Sequence, residues 1–75
     1  MSTRSATDVR VVAWEHAAAQ HRINNLLAQT NAARQRDDLR AVRLLTAPLN
    51  DARRRYRATA EVLAAAADRA LAGVS

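Results

Sequence analysis

A chain of 75 residues with 19 Ala, 12 Arg and 8 Leu, but no Lys, Cys or Phe, has room for one small domain and for no disulfide, thiolate chemistry or cysteine-ligated metal. A single core of this size supplies only about 3–5 kcal/mol unaided, so a non-covalent staple or a partner chain is expected. The formal net charge of +5 favours anionic partners, either nucleic acid or an acidic protein surface.

With Ala, Leu, Arg and Gln dominant and only one Gly and one Pro, the composition is that of long helices, and the fold class expected is all-α. Charged Asp8, Arg10 and Glu15 interrupt the N-terminal region. No signal peptide or membrane span is read there, and a cytoplasmic protein with no membrane partner is expected.

Taken in chain order, Ser5-Ala6-Thr7-Asp8 has the form of a capping box, which starts helix 1 near residue 6. Over about 6–34, steps of three and four align Val9, Val12, His16, Ala19, Ile23, Leu26, Leu27 and Thr30 as an inner face. Apolar periodicity lapses over about 35–38, and the closing pair Asp37-Asp38 suits a cap, so the turn is placed there. A second stripe follows over about 39–72. It comprises Val42, Leu45, Leu49, Ala52, Tyr56, Ala60, Leu63, Ala67, Ala70, Leu71 and Val74, and it keeps phase across Pro48. Pro48 is expected to kink helix 2 or to split it, with Thr46 as a cap in the second case, and Gly73 is expected to stop it. The architecture expected is an antiparallel helical hairpin, one domain over 1–75. Two helices of about 30 residues would run roughly 45 Å. Their one seam is rich in Ala and buries few large side chains, so self-association or a partner chain is expected to complete a bundle.

Little in the chain carries chemistry. It has no Gly-rich phosphate loop, no nucleophile motif and no cofactor motif. His16 and His21, five apart, project about 140° apart on a helix, which is wrong for sharing a metal. No enzyme, small-molecule substrate, cofactor or metal is expected. His16 is read as an imidazole hydrogen-bonded in the seam rather than as a pH switch.

Two surfaces remain as candidate sites. The back of helix 1 carries Trp14, Ala17, Ala18, His21, Asn25, Ala28 and Ala32, small residues around one large aromatic. Trp is a strong binding anchor and Ala admits close backbones, so Arg10, Trp14, Ala18, His21 and Ala28 form the candidate protein-binding set. The competing reading is that Arg10 merely stacks on an exposed Trp14. The second surface is basic: Arg36, Arg40, Arg43, Arg54 and Arg57 fall opposite the stripe of helix 2, beside the run Arg53-Arg54-Arg55-Tyr56-Arg57. Arg43, Arg53, Arg54 and Arg57 are the candidate nucleic-acid contacts, reading backbone and shape because Tyr56 points inward. Against that stand Glu61 and Asp68 on the same face, and pairing of Asp51 with Arg54 and Arg55 and of Asp37 with Arg40.

The two amphipathic halves around Gln35-Arg36-Asp37-Asp38, and the stretch from Tyr56 to Leu63 with its Ala-rich sequel, resemble the small helical-hairpin co-chaperones of type III secretion needle subunits. That resemblance implies a larger helical-repeat partner, and the basic excess departs from it. In outline the chain is also similar to plasmid-encoded RNA-binding hairpins that dimerise into four-helix bundles. Neither likeness has a motif that assigns a residue. The function expected is a protein-interaction module, an adaptor, co-chaperone or assembly subunit, with a dimeric nucleic-acid binder as the alternative.

Overall fold

The computed structural model describes residues 3–74, with side chains over 9–73. Two helices, α1 (Thr3–Gln35) and α2 (Leu39–Val74), pack as an antiparallel all-α hairpin. Its extents are 55 × 24 × 14 Å with a radius of gyration of 16.9 Å. A compact chain of this length would have a radius near 11 Å. The hairpin is a rod whose length is one helix of about 36 residues at 1.5 Å each.

The connection is as short as helix chemistry allows, because one residue ends α1 and the next begins α2. Asp37 adopts a left-handed φ of 57°. Around it, Asp38 N–H donates to the Ala33 carbonyl at 2.8 Å and Asp37 N–H to the Arg34 carbonyl at 3.0 Å, the paired bonds that close a helix C-terminus. Asp38 then caps α2. Its Oδ1 accepts from Ala41 N–H at 3.1 Å and its carbonyl from Val42 N–H at 3.1 Å.

The buried side of α1 runs Val12, His16, Ala19, Ile23, Leu26, Thr30, Ala33, and that of α2 runs Val42, Leu45, Leu49, Ala52, Tyr56, Thr59, Leu63, Ala66. Both advance by alternating threes and fours. This is a heptad seam, with His16, Ile23 and Thr30 at a, Ala19, Leu26 and Ala33 at d, and on α2 Leu49 and Tyr56 at a and Ala52 and Thr59 at d. Leu26, Leu49 and Ala52 form its centre, with Ile23 and Leu45 against them. The two buried threonines satisfy their hydroxyls on their own helices: Thr30 donates to the Leu26 carbonyl at 2.7 Å, and Thr59 lies 2.9 Å from those of Arg55 and Tyr56.

Several sequence expectations change. A 3.6-residue projection drifts from the 3.5-residue seam, so Leu27 stands at its exposed edge while Ala33, Thr59 and Ala66 lie inside it; Val9 is in phase with the seam, one heptad before His16, but exposed toward its open end. Ala67, Ala70 and Leu71 are exposed, and the Val74 side chain lies outside those described. α1 is already helical at Thr3, so Ser5 sits inside the helix and does not cap it; the Ser5 and Asp8 side chains lie outside those described. α2 is one helix through Pro48, not two, and Thr46 is internal, donating to the Val42 carbonyl at 3.0 Å. Proline removes the donor for the Leu44 carbonyl and crowds it without ending the helix. Gly73 is helical, without positive φ, and is not the stop.

Replacing Asp38 by Ala is expected to lower stability by about 1 kcal/mol through loss of the cap. Asp37→Gly should raise it by about 0.5–1 kcal/mol by relieving the left-handed backbone. Urea unfolding at one fixed protein concentration measures both.

Candidate interaction surfaces

The seam divides the remaining surface into two flanks. Positions c and g of both helices lie on one side. The pairing is visible in a groove of about 370 Å³ lined by Trp14, Glu15, Ala18, Ala19 and Arg22 of α1 and by Asp51, Ala52 and Arg55 of α2. Three alanines make its floor, Trp14 stands 72% exposed at its edge, and charges of both signs form its rim. A second groove of about 350 Å³ opens further along the same flank, between Gln29, Ala32, Ala33 and Arg36 of α1 and Ala41, Leu44 and Leu45 of α2. Leu44 is 70% exposed there.

The α1 walls of the two grooves are the same pattern displaced by fourteen residues: Glu15, Ala18, Ala19, Arg22, then Gln29, Ala32, Ala33, Arg36. Two heptads return a side chain to the same face, so the repeat lies along one line roughly 21 Å long. Sequence reasoning found Trp14 and Ala18 but missed the second groove. The repeat was its signal.

Positions b and e form the opposite flank. Arg10 and Arg34 of α1 and Arg43, Arg53 and Arg57 of α2 occupy it, all exposed. The candidate protein-binding set is therefore divided: Trp14 and Ala18 share the first groove, His21 and Ala28 lie exposed on the back of α1, and Arg10 is on the far flank. Arg10 makes no ring contact with Trp14 among the described residues. Of the candidate nucleic-acid set, Arg43, Arg53 and Arg57 share the b/e flank. Arg54 is on the back of α2, 3.2 Å from Asp51, a pair so exposed that it stabilises by about 0.5 kcal/mol at most. Neither Asp51–Arg55 nor Asp37–Arg40 is an ion pair; near the turn Arg36 instead lies 4.0 Å from Asp38.

Inside the seam, His16 stacks on Tyr56 with ring centroids 4.2 Å apart and planes 26° apart, and its Nδ1 lies 2.8 Å from Thr59 Oγ1. With the Thr59 hydroxyl hydrogen turned to its own helix's carbonyls, the arrangement that satisfies every group has Nδ1–H donating to Thr59. His16 and Tyr56 are thus seam residues, as their positions in the sequence suggested. Among the described residues no group of three or more His, Asp or Glu could hold a metal ion, and no helix is long and apolar enough to cross a membrane.

Compared with protein-family models, with curated proteins and with solved structures, the chain matches none. Its surfaces have to be read from their own geometry.

The His16–Tyr56 stack should contribute a coupling of about 0.5–1.5 kcal/mol. A double-mutant cycle on His16→Ala and Tyr56→Ala, followed by urea unfolding, measures it.

Proposed function

We propose that the chain is a non-enzymatic protein-interaction module, and that a second copy of the same hairpin occupies its groove flank to give a four-helix bundle. The observation that carries this reading is Trp14, 72% exposed beside an alanine-floored groove, with a matching alanine-floored groove on the same flank that no described residue of its own chain fills. A two-fold axis lying between the groove flanks of the two copies, near residues 23–24 of α1, would set Trp14 of each hairpin against Ala32 and Ala33 of the other. Such an isologous contact uses one patch twice. The same axis brings Glu15 within about one helical turn of the other copy's Arg36, opposite charges on the two groove rims.

Energetics supports the same reading. Of the five buried apolar residues among those described three are alanines, and no large side chain is completely enclosed. A fully buried Leu stabilises by about 1.5–3 kcal/mol, so Leu26 and Leu49 give one hairpin a thin core. A second layer over Trp14 and Leu44 would thicken it.

Light scattering behind a sizing column, on nuclease-treated protein, should return twice the chain mass of 8.2 kDa. Trp14→Ala should weaken the dimer by about 2 kcal/mol or more, some 30-fold in dissociation constant, with helicity retained at high concentration. Glu15→Arg and Arg36→Glu should each weaken it, and together restore it. A cooperatively folded single-chain species at all concentrations, or a dimer indifferent to Trp14 and to both charge reversals, contradicts the proposal.

A further inference from the structure

The hairpin is charge-segregated in a way that composition conceals. Of the 11 Arg whose side chains are described, five lie on the b/e flank: Arg10, Arg34, Arg43, Arg53 and Arg57. The other six are matched in number by the six described Asp and Glu, none of which occupies a b or e position of either helix. Among the described side chains the whole excess of five positive charges therefore resides on one flank. Among the described residues none of these five arginines is in an ion pair; off the flank Arg36 and Arg54 each have a carboxylate neighbour, while Arg22, Arg40, Arg55 and Arg69 are unpaired but share their faces with the acids. Self-repulsion among unpaired like charges along one edge destabilises the folded chain, so a counter-charge is the missing partner.

The shape of the row says which polyanion. With Thr59 and Tyr56 set opposite His16, each α2 residue can be placed along α1. Arg10, Arg57, Arg53, Arg43 and Arg34 then follow one another over about 24 residues, roughly 36 Å at 1.5 Å per residue. That is about one turn of a B-form DNA duplex, 34–36 Å, and somewhat more than one turn of the shorter-pitched A-form RNA duplex. Exposed Asn24, Asn31 and Asn50, with Gln20, stand between them on the same flank beside exposed Ala13, Ala17 and Leu27, and the Asn and Gln amide groups also donate hydrogen bonds to phosphate oxygens. No aromatic lies on it, since Trp14 borders the groove and Tyr56 is in the seam, so no stacking platform for unpaired bases is offered.

We infer that the b/e flank binds the phosphodiester backbone of a nucleic-acid duplex without reading sequence, five arginines tracking about one helical turn. This surface is separate from the groove flank, and the inference holds whether the protein acts as one hairpin or two.

Fluorescence anisotropy with a labelled 20-base-pair duplex DNA of arbitrary sequence, and with the matching duplex RNA, tests it between 50 and 200 mM NaCl. Five neutralised phosphates give a log–log salt slope near −4.5, so affinity falls about 500-fold over that range. Arg53→Gln with Arg57→Gln should flatten the slope by about two and reduce the fall to roughly 40-fold, equally for any sequence. The matched pair Arg40→Gln with Arg69→Gln removes the same charge away from the flank and should leave the slope unchanged. Equal losses from both pairs would reduce the effect to net charge and overturn the assignment. So would tighter binding to the single strand, or binding to polyglutamate or phosphatidylserine vesicles without binding to either duplex. Preference between DNA and RNA duplexes identifies the source of the backbone, and circular dichroism confirms that each variant remains helical.

Discussion

Every surface of this molecule is defined by the 3.5-residue recurrence of its seam, held in register by one tight turn. Asp37 ends α1 in a left-handed conformation and Asp38 starts α2 by capping it, so no slack remains between the helices. A slip by one turn would separate the Nδ1 of His16 from Thr59 and its ring from Tyr56. It would also set Ala19 away from Ala52, where the two now form one groove floor.

The seam's chemistry explains why the hairpin is thin and why its flanks differ. Alanine at Ala19, Ala33 and Ala52 lets the helices lie close but buries little area. The same small residues leave shallow grooves on the c/g side, where Trp14 and Leu44 stand exposed. On the b/e side five unpaired arginines stand without an acid. One flank is therefore grooved and bordered by exposed apolar side chains, the other is basic, and the seam keeps the two apart.

The two long helices, the turn region and the inward placement of His16 and Tyr56 were legible because amphipathic periodicity and helix-capping residues are local signals. The seam's own alanine and threonine were harder to see. Ala33, Thr59 and Ala66 carry no bulk that a hydrophobic pattern would register, while Val9 and Leu27 do and yet stand exposed. Gly73 does not stop α2 and Pro48 does not split it, since tertiary packing carries the helix across both. The division of the arginines between flanks needed the heptad register, which differs from a straight-helix projection by about 20° per heptad. That difference is enough to move Arg54 off the basic row and to bring Arg10 and Arg34 onto it.

The most direct measurement of the register is nuclear Overhauser spectroscopy between the His16 imidazole and its neighbours across the seam. Two histidines and one tyrosine make those aromatic signals readily assignable. Contacts from His16 to the Tyr56 ring and to the Thr59 methyl group are expected. Contacts from His16 to Leu49 and Ala52, or to Leu63 and Ala66, would mean a slip of one heptad, and would contradict the pairing of Ala19 with Ala52 in one groove and of Ala33 with Ala41 in the other.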